Sequence, residues 1–137
     1  MNAKRNIISW WKINVFRNDI TMEAYSSGGI ELGKLVCTTN TEYERYKSKC
    51  NGDKLLKIVR LETSESYCNK GVATTLMNIF LKQYKDWNIY LLCHPMPRGE
   101  CDSSHKTVKD LRRFYSKFGF VPCGELIPTM IRKASIY

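Results

Sequence analysis

The strongest chemical signal in this 137-residue sequence is the short segment 68–73, with the letters CNKGVA. It lies between a strand-like run and a helical pattern that begins at Gly71, so a row of backbone N–H groups would stand at a helix N-terminus. Such a terminus favours an anion, and a pyrophosphate fits it. Gly71 and the small Ala73 let the anion approach the backbone, and Lys70 adds a cation. The alternative is an ordinary strand-to-helix turn that contains a glycine.

Residues 68–73 resemble the acetyl-CoA motif of the GNAT superfamily of N-acetyltransferases, Q/R-x-x-G-x-G/A. Gly71 and Ala73 stand at the two small positions, and Val72 stands at the usual aliphatic position. Cys68 occupies the Gln/Arg position, which is a departure from the family pattern. Because backbone N–H groups do the main work of the motif, the departure is compatible with the same function.

A second segment strengthens the resemblance. Residues 111–120 (LRRFYSKFGF) are similar to the late helix of the family, l-Y-e-k-x-G-F, and one predicted strand separates the two motifs. Tyr115 stands where the family often places its general acid. Together the motifs cover residues 55–120, and the last predicted strand pair extends the likeness to about residue 132. Short GNAT proteins of this outline are similar to those carried by phages and mobile elements.

The resemblance implies acetyl-CoA as a co-substrate. Its pyrophosphate would lie on the turn at the start of the helix, and its pantetheine arm would lie along the end of the preceding strand, where that strand diverges from its neighbour. The implied cofactor-binding residues are Leu61, Thr63, Cys68, Asn69, Lys70, Gly71, Val72, Ala73 and Thr74.

Three side chains are candidates for acid–base chemistry. The hydroxyl of Tyr115 is a proton donor at neutral pH, although the residue falls on an apolar helix face and could simply pack there. Glu62 is the first candidate for a general base and His94 the second, and each is more often a solvated or structural group. The family frequently uses ordered water instead. Where many members carry an asparagine before the tyrosine, this chain has Val108.

These residues require a specific order of elements. The pattern of β-branched and aromatic residues predicts strands, glycines at 28 and 29 predict a hairpin turn, and 3.6-residue periodicity predicts helices. The order strand, helix, strand over residues 55–93 predicts a right-handed β-α-β unit with two near-parallel strands. Strands are predicted at 7–15, 20–25, 30–38, 55–63, 87–93, 120–123 and 127–132, a short helix or loop at 41–48, and helices at 71–84 and 107–118.

The fold class is therefore α/β (α+β). With the resemblance, we expect a GNAT fold in one domain over residues 1–137: a central mixed, mostly antiparallel sheet, a β-α-β cofactor unit and flanking helices. Simple alternation along residues 55–63 predicts that Leu56 and Ile58, with Arg60 as a further candidate, share one face. Leu61 would then lie on the opposite face. Glu62 would point away from Leu61.

Composition bounds the class of protein. Hydrophobic residues make up 43% and charged residues 26% of the chain, which is ordinary globular usage. The six cysteines form no CxxC pair, so free thiols and a cytoplasmic location are expected, with no membrane association.

Residues 93–105 contain two cysteines and two histidines, but their spacing does not match common zinc sites, and no metal is expected. Residues 28–34 (GGIELGK) nearly match the sequence motif of a phosphate-binding loop. Predicted strands flank them on both sides, however, whereas such a loop must lead into a helix.

The formal net charge of +9 points to anionic partners. We expect acetyl transfer to a primary amine on a protein lysine or a nucleoprotein, and an oligomer is possible. The alternative functions are a basic nucleic-acid-binding module and a catalytically silent acyl-CoA-binding regulator on the same fold. The basic face of the late helix comprises Lys106, Lys109, Arg112, Arg113 and Lys117.

Overall fold

Seven strands form a single mixed sheet in the order β1-β2-β3-β4-β5-β7-β6. The computed structural model describes residues 8–64, 71–93, 108–123 and 129–135. Within them only β4 and β5 are parallel, and the other neighbouring strands are antiparallel. The predicted fold class is confirmed. The elements are β1 (Trp10–Phe16), β2 (Asp19–Tyr25), β3 (Glu31–Thr38), α1 (Tyr43–Tyr46), β4 (Leu55–Thr63), α2 (Val72–Gln83), β5 (Asn88–Leu92), α3 (Val108–Ser116), β6 (Val121–Pro122) and β7 (Thr129–Arg132).

The first three strands form a meander with tight turns. Arg17, at a positive φ of 57°, and Asn18 alone connect β1 to β2, so no helix separates these strands. The predicted hairpin between β2 and β3 is confirmed, and Gly29 supplies the left-handed conformation at φ 84°. The first strand begins three residues later than predicted, at Trp10.

The unit β4-α2-β5 has the predicted order, and its two strands are parallel. Helix α2 buries one apolar face because its hydrophobic residues recur three and four positions apart. The helix begins after Gly71, which adopts a left-handed conformation at φ 81°. Its buried residues are Val72, Leu76, Met77, Phe80 and Leu81.

The predicted face alternation of β4 is wrong beyond its middle. Ile58 pairs with Cys37 and Arg60 pairs with Val36, so Val59 is an extra residue in β4 and forms a bulge. The bulge shifts the two-residue period by one position. Leu61 therefore packs against the same core cluster as Ile58, and not on the opposite face.

The two faces of the sheet are covered unequally. Helices α2 and α3 pack on one face, where the larger core cluster includes Leu35, Leu56 and Phe80. Tyr46 of α1 lies on the other face, in a smaller cluster with Tyr90 and neighbouring residues of β4 and β7. The apolar face predicted for α3 is thus confirmed as a packing face, although none of its residues is fully buried.

A buried asparagine at the start of β5 forms hydrogen bonds with two irregular segments. The Oδ1 of Asn88 accepts hydrogen bonds from the backbone N–H groups of Asn51 and Ala134, at 2.9 and 2.8 Å. Its Nδ2 donates to the carbonyls of Asn51 and Lys54, both at 2.9 Å. The sequence reading did not identify this role, since only the fold places these segments side by side.

None of the helices within the described ranges is long and apolar enough to span a membrane. Among the described cysteines, Cys37, Cys50 and Cys93 are not in disulfides.

Candidate active site

The first turn of α2 presents backbone N–H groups with no intrahelical partner. The first α-helical bond runs from the N–H of Thr75 to the carbonyl of Gly71, at 3.0 Å, so the amides of residues 71–74 precede it. No side-chain hydrogen bond caps this end within the described part of the chain. A Cβ placed on exposed Gly71 would meet no described heavy atom within 4 Å. Among the described residues, therefore, nothing fills the space before this turn or uses its donors, which suits an anion.

The end of β4 has no described strand partner on the side of β5. Within the described residues, pairing between β4 and β5 ends at Ile58 and Leu91, whereas β4 stays paired with β3 as far as Thr63. The last five residues of β4 thus have no described strand partner on that side, and because residues 94–96 lie outside the described ranges, the divergence of the two strands stays a prediction. Leu61, Glu62 and Thr63 are each partly buried there.

Gly33 of β3 brings the end of β4 and the start of α2 together. A Cβ on Gly33 would stand 2.6 Å from the carbonyl oxygen of Glu62 and 3.0 Å from Cγ1 of Val72. It would also stand 3.3 Å from Cδ1 of Leu76. The absence of a side chain at this position lets the first turns of α2 lie directly on β3, beside the last residues of β4. Gly33 was not predicted as a site residue: the sequence placed it in the strand at 30–38, and nothing local shows which segment packs against that strand.

Tyr115 lies on the inner side of α3. Its ring is 5.2 Å from that of Phe114 and 5.9 Å from that of Phe120, centroid to centroid. Burial raises the pKa of Tyr115 to about 12, and the neighbouring Cys93 thiol, just after β5, raises it further. The phenol therefore holds its proton throughout the neutral range. Tyr115 is thus near the carboxyl end of β5, on the sheet face that α2 covers.

Glu62 points away from Leu61, as predicted, but because the bulge puts Leu61 on the core face, Glu62 faces away from α2 and not, as simple alternation implied, towards the face of Leu56 and Ile58. Its Oε2 lies 3.2 Å from Nη1 of Arg60, two residues earlier on the same strand. Glu62 pairs across the ladder with Lys34, which pairs in turn with Glu23. The carboxylate thus already has a cationic partner in Arg60.

Several predicted site residues lie outside the described ranges: Cys68, Asn69 and Lys70 of the turn, and His94. The described residues bring Leu61, Thr63 and the first turn of α2 together around Gly33. Among the described side chains no three metal-capable groups form a cluster.

Comparison with known proteins places the fold. No protein-family model matches the sequence, and no curated protein matches it. Solved structures do match. A histone acetyltransferase HPA2 and related acetyltransferase from Corynebacterium glutamicum aligns with TM-score 0.61 and 18% identity, over 88% of this chain and 67% of that one.

Two further structures agree. Ard1 from Thermoplasma volcanium aligns with TM-score 0.55 and 19% identity, over 84% of this chain and 70% of that one. NAA60 from Arabidopsis thaliana, solved in complex with acetyl-CoA, aligns with TM-score 0.55 and 16% identity, over 85% and 75%. A GNAT-family acetyltransferase from Staphylococcus aureus also matches. With its β4-α2-β5 unit and parallel central strands, the chain has the fold of the GNAT acetyltransferases.

Proposed function

We propose that this protein is an N-acetyltransferase that transfers an acetyl group from acetyl-CoA to a primary amine. One observation carries the proposal: over Gly33, the first turn of α2, whose amides have no described partner, meets the end of β4, beyond its last described pairing with β5. Such a junction offers amides for a phosphate and, beside them, strand donors and acceptors for an amide-containing arm. A co-substrate with both groups fits it.

The chain's own residues bind two parts of the co-substrate. The amides of residues 71–74, together with Cys68, Asn69 and Lys70, hold the pyrophosphate. The backbone at Leu61 and Thr63 aligns the extended arm. Bound acetyl-CoA supplies an activated acyl thioester, which is why alignment and proton handling are what the protein must add.

Tyr115 is the proposed general acid. Its raised pKa, about 12, keeps the phenol protonated until a more basic group, such as a departing thiolate, is held against it. The hydroxyl interacts with Cys93, the residue that directly follows β5. The ring stays in place because Phe114 and Phe120 pack against it.

A base must remove a proton from the attacking amine. Glu62 lies on the sheet face opposite α2, so an amine that approaches from that face meets Glu62 and not the helix. Arg60 competes for the carboxylate at 3.2 Å, so Glu62 would act through a water molecule or after the ion pair opens. His94 is the second candidate.

The acceptor is proposed to be macromolecular, a protein lysine or a nucleoprotein amine. The two-residue connection between β1 and β2 leaves their outer face without a covering helix from that connection, and an open face suits a bulky acceptor. The net charge of +9 draws in an acidic or nucleic-acid-associated surface.

The direct test is enzymatic. The protein is incubated with acetyl-CoA and candidate lysine-bearing proteins, nucleoproteins, polyamines and aminoglycosides, and both free CoA and acceptor mass are measured. We expect equal amounts of released CoA and added acetyl groups on at least one amine. Thermal stabilisation by acetyl-CoA without turnover on any amine would favour a silent acyl-CoA-binding regulator.

A basic nucleic-acid-binding module is the second candidate. The observation in its favour is the exposure of Lys109, Arg112, Arg113 and Lys117 along one face of α3. Such a module would bind oligonucleotides in a salt-dependent way and would show no stabilisation by acetyl-CoA.

A further inference from the structure

A second concave site lies between the C-terminal half of α2, the end of α3 and β7. It is a shallow, open depression of about 440 Å³, and its lining includes four basic residues and no acidic one. Its polar lining comprises Asn78, Lys82, Lys85, Lys117, Arg132 and Ser135. We call it the basic pocket.

The charges of the basic pocket are not balanced from within the described structure. None of its four cations forms an ion pair with a described carboxylate. The acidic residue nearest in sequence, Asp86, does not line the cavity. Gathering like charges around one concavity costs free energy, and an anion held between them would offset that cost.

Arg132 gives the basic pocket a fixed donor. Its Nε donates a hydrogen bond to the carbonyl of Phe118 at 2.8 Å, which ties the guanidinium of β7 to the turn after α3. Its Nη1 is buried and has no hydrogen-bond partner within the described part of the chain. Burial also lowers the pKa of Arg132. A buried, unused guanidinium N–H is costly unless a ligand accepts its hydrogen bond.

The basic pocket is separate from the candidate active site. Lys82 is one helix length from Gly71, roughly 16 Å along the axis of α2 at the usual rise per residue. The first turn of α2 and the end of β4 are absent from the pocket lining. An anion in the basic pocket and a pyrophosphate at the first turn can therefore be bound together.

We propose that the basic pocket binds a phosphate group, with Arg132 as the oriented donor and Lys82, Lys85 and Lys117 as the surrounding charges. Four cations exceed what a single carboxylate requires and match a phosphate, which offers several acceptor oxygens and more than one negative charge. The phosphate could come from a small phosphorylated molecule or from a nucleic-acid backbone. This proposal does not depend on the acetyltransferase reaction.

The test is a titration with inorganic phosphate at constant ionic strength, monitored by NMR. The side-chain Nε–H signal of Arg132 is monitored as inorganic phosphate replaces chloride, with and without saturating acetyl-CoA. The pocket variant is the double substitution Lys82→Gln/Lys117→Gln. The control variant is Lys49→Gln/Lys57→Gln, which removes the same charge from residues outside the pocket.

We expect a saturable shift of the Arg132 signal in the native protein and in the control, unaffected by acetyl-CoA. In the pocket variant binding should weaken about tenfold or more, since charge-assisted contacts are each worth at least several-fold in affinity. Equal phosphate affinity in the two variants, or no saturable shift in the native protein, would overturn the proposal.

Competition then distinguishes the two sources of the phosphate. If the pocket serves nucleic acid, a duplex oligonucleotide displaces phosphate, and the pocket variant lowers the salt slope of oligonucleotide binding by about 2 relative to the control. If it serves a small molecule, pyrophosphate displaces phosphate and the oligonucleotide does not.

Discussion

The ring of Tyr115 packs between Phe114 and Phe120. Removal of its hydroxyl should therefore have little effect on the fold. In Tyr115→Phe we expect turnover to fall about a hundredfold or more, the usual contribution of a general acid. Affinity for acetyl-CoA should stay within about twofold of the native value, since the lost group acts on the reacting atoms and not on binding. Steady-state kinetics and calorimetric titration measure the two quantities. A near-native rate would make Tyr115 a core residue.

Gly71 is the residue on which pyrophosphate binding depends most. We expect Gly71→Glu to abolish acetyl-CoA binding, because the side chain would occupy the open space before the α2 amides and add a like charge. Gly52→Glu is a matched control: Gly52 also has a positive φ, 80° against 81°, and also faces open space. Both variants bear the same backbone strain and the same charge change. Equal acetyl-CoA affinity in the two, measured by titration, would contradict the assignment.

The buried thiol of Cys37 makes the free energy of unfolding depend on pH in the alkaline range. Burial, with a smaller contribution from Asp19, raises the pKa of this thiol from 9.0 to about 12. The folded state then holds the proton more tightly than the unfolded state, so its stabilising effect is present below pH 9 and is lost as the pH rises towards 12. Tyr115 acts with the same sign between pH 10 and about 12.

We therefore expect the free energy of unfolding to decrease by about 1.4 kcal/mol through Cys37 alone between pH 8 and pH 10. Cys37→Ala should be less stable at pH 7, because a buried side chain is shortened, but its stability should decline less over this range. Urea unfolding at three pH values measures the difference. Parallel curves for the two proteins would show that the thiol ionises equally in both states.

At the scale of elements, the seating of α2 on the sheet depends on Gly33. In Gly33→Ala the new methyl would stand 2.6 Å from the carbonyl oxygen of Glu62 and 3.0 Å from Val72, so the helix or β4 must move. We expect a loss of about 1–3 kcal/mol in the free energy of unfolding, typical of overpacking. Affinity for acetyl-CoA should also decrease, because the first turn of α2 and the end of β4 shift relative to each other.

Gly28→Ala is the matched control for that substitution. Gly28 lies in the exposed turn before β3, and a Cβ there would be 3.9 Å from the Oγ of Ser26, an ordinary contact. We expect its effect on the free energy of unfolding to be small. Urea unfolding and acetyl-CoA titration of both variants complete the measurement. Equal stability of the two variants would mean that the sheet and α2 accommodate the methyl freely.

At the scale of the whole molecule, charge should govern the choice of acceptor. With a net charge of +9, the protein repels small polycations and attracts acidic surfaces. We expect initial rates on an acidic lysine-bearing protein to exceed those on aminoglycosides and polyamines, and to fall as salt increases from about 20 to 300 mM, since screening shortens the range of attraction. A fast, salt-insensitive reaction with a polyamine would contradict this expectation.

The sequence by itself determined the order of the elements and the class of the fold. Local signals sufficed for the hairpin at Gly29, for the strand over residues 55–63 and for the apolar face of α2. These features depend on propensity and periodicity within a few residues, and a neighbouring segment need not be known to find them. The candidate turn at residues 68–73 was predicted in the same way.

Only the tertiary structure decided which residues meet. The bulge at Val59 reverses the faces of the following residues, and it arises from pairing with β3, which no periodicity in β4 reveals. Gly33 serves a helix about 40 residues later, and Asn88 joins segments on both sides of it in the sequence. The basic pocket is lined by lysines at or just beyond the ends of two helices and by an arginine of β7. Contacts between distant segments follow from how the chain packs as a whole, so the spacing of residues along the sequence cannot predict them.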